Sequence, residues 1–286
     1  CNTVSLPVLL GLMRHAGGKV AVVMARMPKG HGKFYGRADR IYALSPEVSN
    51  RLATENPRLT DRIKLLPYPI NWTLLAEAAA ATKRTAASPV HIIFIGRIHP
   101  EKGIELLLEA CRHLSRTNGL PDWRITLIGP QSIPQGGGGE SYVTTLRDRF
   151  ATNLGSKLDI REPEFDSVRL SSCYAEADVF CYPSLAEGGE TFGVAVAEAM
   201  AAGAVPVVSA LACFRVLVRS GQTGFVFDHC AADPALNLAQ VLERLIKDPE
   251  LRSILGRCAK AHAKRFDFRT LGAALAADLR ELTGAA

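Results

Sequence analysis

The stretch that decides the fold is VHIIFIGRIHPEKGIELLLEACRHL, residues 90–114. An apolar run ends at Gly96, a polar loop follows, and apolar residues then recur three and four apart from Ile104 onward. The first pattern is typical of a buried strand and the second of an amphipathic helix. Because a continuously apolar strand must be covered on both faces, this unit predicts a parallel sheet packed between helices.

The same alternation continues through residues 90–265. Apolar runs that predict further strands are WRITLIG, KLDI, DVFCYPS, VPVVSA and GFVFD, and a helical pattern separates most of them. Strands that alternate with helices predict a doubly wound α/β domain. In such domains ligands bind beyond the carboxyl ends of the strands, where helix N-termini can receive phosphates.

Shorter elements flank this domain. Residues 1–75 contain strand-like KVAVVM and RIKLL, and Ser45 before Pro46 predicts the start of a helix, so we expect a partial N-terminal α/β domain. The alanine-rich residues 76–89 end in Ser-Pro and predict a helix that runs into a linker. Residues 266–286 predict a C-terminal helix that packs back on the N-terminal part.

Composition narrows the class of protein. The net charge of +6 is scattered along the chain, which favours phosphorylated ligands or an anionic membrane surface as partners and does not single out nucleic acid. The seven cysteines form no CxxC pair, so they predict neither a disulfide framework nor a zinc site. The apolar run LPVLLGLM is too short to cross a bilayer. We therefore expect a cytoplasmic protein, with peripheral membrane association compatible with its charge.

The first candidate motif is FIGRIHPEKG, residues 94–103. Gly96 ends the strand, and Arg97 and Lys102 lie in the loop before the next helix. A guanidinium, an ammonium and free helix amides at one strand end suit a diphosphate. An ordinary loop with solvated charges remains an alternative, and we expect His99 to be incidental.

The second candidate is LAEGGETFGVAVAEAMAAG, residues 185–203, with Glu190 and Glu198 eight positions apart. On one regular helix they would be separated by about 12 Å. This is more than the roughly 5 to 9.5 Å of a glycosidase carboxylate pair. Gly193 instead predicts the start of a helix, with Glu198 about one turn inside it. Two interpretations stay open: two glutamates that hold the ends of one elongated ligand, or a helix-dipole residue and a solvated charge.

Residues 136–139 are four consecutive glycines. A glycine-rich loop can cradle phosphate, but this one lacks the lysine of a P-loop. We expect a mobile surface loop without a catalytic role.

The two candidate motifs, in this order, resemble the donor-binding domain of the family-4 retaining glycosyltransferases of GT-B fold. ADRIYALSPEVSNRL, RIKLLPYPIN and FDFRTLGAALAADL also resemble segments of that family, and the likeness covers about residues 35–285. It implies a GT-B-like α/β fold and retaining transfer of a hexose from a UDP- or GDP-linked sugar to a glycan or lipid-linked acceptor. No DxD sequence occurs, so we expect no metal or cofactor in the reaction.

The resemblance also implies roles for single residues. Arg97 and Lys102, after Gly96, would hold the diphosphate, and Glu190 would contact hydroxyls of the donor sugar; these three charged residues are the expected catalytic groups. Glu198 would bind the ribose. The remaining expected contacts are the backbone of Thr191, Phe192 and Gly193 near the phosphates, and Arg161 and Glu162 near the nucleobase.

Three features depart from the family pattern. The sequence REPEF follows KLDI where the family often has a glycine, and only about 80 residues precede the linker, fewer than the roughly 100 to 150 of a full domain. The histidine expected after an N-terminal strand is not evident. We therefore expect this chain to bind a nucleotide sugar and to transfer it poorly. A binding module without transfer and a GT-B-like epimerase remain alternatives.

Overall fold

The computed structural model describes residues 11–13, 15, 17–82 and 88–284, which form two compact units. The first unit comprises the described residues up to Pro69, Gly188–Gly193 and the chain from Arg265. The second comprises Ile70–Glu187 and Val194–Lys264. Within the described ranges, no helix has both the length and the apolar character needed to cross a membrane.

The first unit is built on a parallel sheet in the order β1-β2-β3. Its elements are β1 (Ala21–Met24), β2 (Arg40–Ala43), α1 (Pro46–Glu55) and β3 (Ile63–Leu65). Helix α1 begins where predicted, because the Ser45 hydroxyl accepts a hydrogen bond from the Val48 amide (3.4 Å) and Pro46 fixes the first turn. Ile41, Val48 and Leu52 are fully buried between the helix and the sheet.

The C-terminal helix, Phe268–Thr283, is anchored to this sheet through Asp278. The Asp278 carboxylate accepts a hydrogen bond from the Tyr42 hydroxyl (2.6 Å), lies 3.0 Å from Nε of Arg40 and forms an ion pair with Lys64. Burial acts to raise the pKa of Asp278, but the bonds from Lys64 and Tyr42 and the charge of Arg40 hold it below its ordinary value. The buried carboxylate is therefore ionised and fully paired.

Replacing Tyr42 by phenylalanine should destabilise the first unit by about 1.5 to 3 kcal/mol, because a hydrogen bond to a charged acceptor is lost in a buried site. Tyr42 is 3% exposed, and burial together with the Asp278 bond raises its pKa to about 12. The measurement is urea unfolding at neutral pH. The control is Tyr68→Phe, since the Tyr68 hydroxyl makes no hydrogen bond to any described residue; that change should cost no more than about 0.5 kcal/mol. Equal losses in both variants would contradict the assignment.

The second unit contains a six-stranded sheet in the order β6-β5-β4-β7-β8-β9, and every pairing is parallel. Its strands are β4 (Val90–Ile95), β5 (Trp123–Ile128), β6 (Leu158–Arg161), β7 (Val179–Tyr182), β8 (Val205–Ser209) and β9 (Phe225–Phe227). Each strand lies within a run that predicted it, except that β6 extends one residue beyond KLDI to Arg161. The predicted doubly wound parallel sheet is thus confirmed, and the quoted strand β4 is central and buried throughout.

Helices pack on this sheet through their apolar sides. They are α2 (Trp72–Ala81), α3 (Ile104–Ser115), α4 (Glu140–Leu154), α5 (Ser167–Ala175), α6 (Val194–Ala201), α7 (Pro234–Lys247) and α8 (Pro249–Ala263). In α3, Leu107, Leu108 and Cys111 are fully buried, as the three- and four-residue spacing predicts. The apolar periodicity therefore identified the face of this helix that packs inward.

The boundary between the units differs from the sequence expectation of a linker at residues 76–89. Residues up to Ala81 lie in helix α2, and residues 83–87 are outside the described ranges. Helix α2 belongs to the second unit, where the Trp72 indole donates a hydrogen bond to the Lys260 carbonyl (3.1 Å). The division falls instead between Pro69 and Ile70.

Candidate functional site

The loop that follows β4 is ordered by backbone bonds to the end of β5 and to the loop after it. The Gly96 amide donates to the Ile128 carbonyl (3.0 Å) and the Ile98 amide to the Pro130 carbonyl (2.9 Å). A single 3₁₀ turn, Pro100–Lys102, comes next, and Nδ1 of His99 accepts a hydrogen bond from the Glu101 amide (3.3 Å). His99 therefore caps this turn, and the expectation that it is incidental to the chemistry stays a prediction.

Gly103 brings two loops of this edge into contact. Its φ is +69°, a left-handed conformation, and a Cβ placed there would lie 2.1 Å from the Pro183 carbonyl oxygen. The Leu185 amide donates to the Glu101 carbonyl (2.9 Å) beside this approach. Both the conformation and the close backbone contact require glycine. The loops that follow β4 and β7 are consequently held together by their main chains.

Three charged side chains form a cluster in the loop after β4. The Lys102 side chain is only 8% exposed, its Nζ lies 3.7 Å from Oε1 of Glu101, and it sits 5.8 Å from the centre of the Tyr182 ring. Arg97 forms an ion pair with Glu101 and donates from Nη1 to the Gly136 carbonyl (2.9 Å). The structure thus brings together the two cations predicted for the site, at the carboxyl end of the central strand.

Glu101 was missed as a site residue by sequence reasoning. Partial burial acts to raise its pKa, but the charges of Lys102 and Arg97 hold the pKa of Glu101 below its ordinary value. It is therefore a carboxylate that orients both cations. The available signal was its spacing, four positions after Arg97 and next to Lys102.

The four glycines at 136–139 are not a mobile surface loop, and that prediction is wrong. Gly137 and Gly139 are buried, the Gly138 amide donates to the Ile98 carbonyl (2.8 Å) and the Gly139 amide to the Gln131 carbonyl (2.8 Å). A Cβ on Gly137 would lie 2.2 Å from the Gln131 oxygen. Glycines lack side chains, so this backbone packs directly against the loop that carries Arg97 and fixes its guanidinium.

Arg161 and Glu162 were expected near a nucleobase. Arg161 is the last residue of β6 and Glu162 follows it, at the same edge of the sheet. Nε of Arg161 pairs with Oδ2 of Asp159 (2.6 Å), and Glu162 is exposed. Phe165, three residues further on, is 74% exposed, and sequence reasoning did not single it out. The contact of these residues with a nucleobase stays a prediction.

Glu198 lies one turn inside helix α6, which begins at Val194 directly after Gly193 (φ +94°), as the sequence predicted. Oε2 of Glu198 accepts a hydrogen bond from the hydroxyl of Tyr174 (2.8 Å), and that tyrosine is 1% exposed. Burial raises the pKa of Glu198, while the Tyr174 bond acts in the opposite direction. These contacts exclude the interpretation in which Glu198 is a charge exposed to solvent.

The pH dependence of stability should reveal this environment. A carboxyl whose pKa is higher in the folded state stabilises the fold below its unfolded pKa of about 4.3, and this stabilisation is lost as the pH rises through the folded pKa. The unfolding free energy of the wild type relative to Glu198→Gln should therefore fall as the pH rises above about 4.3. The unfolding free energy should fall further when Tyr174→Phe is compared with the double variant Tyr174→Phe/Glu198→Gln, because the bond that lowers the pKa of Glu198 is then absent. Urea unfolding at several pH values measures both, and parallel curves would contradict the assignment.

The remaining predicted residues, Glu190 to Gly193, belong to the first unit. Glu190 is 8% exposed, and the Thr191 hydroxyl donates to the Ala25 carbonyl (3.4 Å). The Phe192 ring is buried and meets Phe266 edge to face, with 5.3 Å between ring centres. The Phe192 side chain is thus core, which leaves its backbone as the part that could contact a ligand. The roles of all four residues stay predictions.

Residues 78–262 match the family described as glycosyl transferases group 1. Among curated proteins, the D-inositol 3-phosphate glycosyltransferase of Corynebacterium efficiens is 30% identical over 86% of this chain and 52% of its own length. The protein of the same name from Thermomonospora curvata is 31% identical over 82% of this chain and 54% of its own. The chain therefore spans about half the length of the curated relatives it matches.

Solved structures share the fold. Anabaena HepE, in complex with UDP and glucose, has a TM-score of 0.78 at 18% identity and is matched over 97% of this chain and 76% of its own. Sucrose-phosphate synthase from Thermosynechococcus elongatus has a TM-score of 0.70 at 24% identity, over 89% of this chain and 61% of its own. The expected GT-B-like α/β class is confirmed by these matches. Since the family match covers more than half of the chain, the protein belongs to the group 1 family of glycosyl transferases.

Proposed function

We propose that the second unit binds the diphosphate of a nucleotide sugar. We further propose that the protein transfers the hexose to an acceptor with retention of the anomeric configuration. The observation that carries this proposal is the pairing of Arg97 and Lys102 around Glu101 at the carboxyl end of β4. Because one carboxylate fixes both cations, their positive charges are oriented before a ligand binds.

The chemistry follows from where charge develops. As the bond between the anomeric carbon and the donor oxygen breaks, negative charge grows on the departing diphosphate. Cations that are already in place stabilise this charge more in the transition state than in the ground state. The acceptor hydroxyl would attack from the same face and pass its proton to the leaving phosphate. In this proposal Glu190 binds sugar hydroxyls and Glu198 the ribose, and no protein group acts as nucleophile.

The donor and acceptor classes are inferred from the relatives and from the charge of the chain. The related fold of HepE has been solved with UDP and with UDP-glucose, so we propose a uridine nucleotide first and a guanosine nucleotide second. The curated relatives are named for transfer to inositol 3-phosphate. A net charge of +6 is compatible with an acceptor that carries phosphate, either free or on a lipid-linked glycan.

A thermal-shift panel of UDP, GDP, ADP and their glucose conjugates tests the binding step. A ligand at about 100 times its Kd should stabilise the fold by roughly 2.7 kcal/mol. We expect the largest shift with UDP or UDP-glucose. Inorganic diphosphate serves as the control for charge alone and should shift the transition less than the nucleotides do. If none of the nucleotides shifts it, the proposed function is wrong.

A second experiment separates a transferase from a binding module. Slow hydrolysis of UDP-glucose by this chain, abolished in Glu190→Ala while UDP binding persists, would support transfer chemistry. Tight binding without hydrolysis or transfer would favour a module that only holds the donor. Conversion of UDP-glucose into an isomeric nucleotide sugar would instead identify the epimerase alternative.

A further inference from the structure

We propose that Glu187, His229 and Cys230, none of which is among the residues proposed to hold the diphosphate, form a binding site for a zinc-like divalent metal ion. Each offers one ligand atom, and these atoms all lie within 4.8 Å of one another. Glu187 lies in the loop after β7, and His229 and Cys230 lie two and three residues after Phe227, the last residue of β9. The parallel strands therefore bring the ligands to one edge of the second sheet, although they are far apart in sequence.

The types of ligand atom point to the class of metal. An imidazole nitrogen, a thiolate and a carboxylate oxygen are ligands that Zn²⁺ accepts, whereas Mg²⁺ and Ca²⁺ prefer oxygen alone. Tetrahedral coordination with bonds of about 2.0 to 2.3 Å separates ligand atoms by roughly 3.3 to 3.8 Å. Nε2 of His229 lies 3.8 Å from Oε1 of Glu187. The spacing thus suits an ion between these side chains with little rearrangement.

A second observation concerns His229 alone. Its side chain is only 10% exposed, and neither ring nitrogen has a hydrogen-bond partner among the described residues. A buried polar group without a partner costs free energy, so such a group calls for an explanation. An ion bound at Nε2 would supply a partner that the surrounding protein does not.

The turn that carries two of the ligands is held independently of any ion. Oδ1 of Asp228 accepts a hydrogen bond from the Cys230 amide (2.9 Å), and the Asp228 amide donates to Oδ1 of Asn237 on helix α7 (3.0 Å). Cys230 is exposed and Glu187 has a 75% exposed side chain, so both can move onto an ion fixed at His229. A bound ion would therefore tie the loop after β7 to the loop after β9.

The test uses the whole chain, stripped of metal by a chelator and titrated with Zn²⁺ and with Co²⁺. We expect one equivalent to bind, with a thiolate-to-cobalt charge-transfer band. Cys230→Ser should remove that band and weaken Zn²⁺ binding by at least about tenfold, as should His229→Ala, whereas Cys258→Ser should change neither. Glu187→Gln, a change at an exposed side chain, keeps the test valid should His229→Ala fail to fold. Affinity that is unchanged in Cys230→Ser and Glu187→Gln would overturn the proposal.

Alkylation supplies a readout at the level of single residues. Cys230 and Cys258 are both exposed, so each should react with iodoacetamide in the metal-free chain. Stoichiometric Zn²⁺ should slow the modification of Cys230 and leave Cys258 unaffected, as followed by peptide mass spectrometry. Equal rates with and without Zn²⁺ at Cys230 would overturn the assignment. Zinc binding should also be unchanged in Lys102→Met, so this inference can fail or succeed independently of the proposed function.

Discussion

Replacing Lys102 by methionine should weaken UDP binding by about 10- to 150-fold, because charge-assisted hydrogen bonds contribute roughly 1.5 to 3 kcal/mol. The side chain is 8% exposed and lies over the Tyr182 ring, so methionine can occupy the same space while removing the charge. Isothermal titration with UDP measures the loss. A matching loss for inorganic diphosphate would locate the effect at the phosphates and not at the base.

Lys157→Met is a matched control for this variant. Nζ of Lys157 lies 5.2 Å from the centre of the Trp123 ring and 2.6 Å from Oδ1 of Asp122, so it too is a lysine that packs on an aromatic ring beside a carboxylate. It precedes β6 and stands beside the first residue of β5, at the amino edge of the sheet. Removing this charge should change UDP affinity by no more than about twofold, since its effect at a distance is screened. Equal losses in both variants would mean that general charge, and not the site, controls binding.

Replacing Gly103 by alanine should destabilise the second unit by about 3 kcal/mol or more. A left-handed φ costs alanine about 1 kcal/mol, and a Cβ within 2.1 Å of the Pro183 oxygen also forces two backbones apart. Urea unfolding measures the change. Because the loops after β4 and β7 would separate, UDP affinity should fall as well, which a change in stability alone would not produce at temperatures where the variant is folded.

Gly119→Ala isolates the two contributions. Gly119 has nearly the same conformation, φ +74°, but no atom lies within 4 Å of the position that its Cβ would take. This variant should lose only about 1 kcal/mol and should bind UDP as the wild type does. If Gly103→Ala costs no more than Gly119→Ala, the close approach to Pro183 does not constrain the site.

The local elements were predictable because they depend on nearest neighbours in the chain. Alternating apolar runs located every strand of the second sheet, Ser45 identified the start of α1, and Gly193 that of α6. The loops were less predictable. The glycines at 136–139 look mobile in sequence, yet they are packed because their backbone bonds to residues some 40 positions earlier and to a neighbouring turn. Contacts between residues so far apart in the chain cannot be predicted from local composition.

The sequence by itself determined the class of fold and the family. Hydrophobic period and the order of two motifs are properties of the chain that do not depend on which residues meet in space. It also placed Arg97 and Lys102 in one loop, because they are five residues apart.

Only the tertiary structure decided how these groups are held. It showed that Glu101 orients both cations, that Tyr174 bonds to Glu198, and that His229 lies buried beside Glu187. Each of these contacts depends on where neighbouring parallel strands end, or on which side chains are buried away from water. Burial and distance set pKa values and the geometry of ligands, and both arise only when residues far apart in the chain pack together.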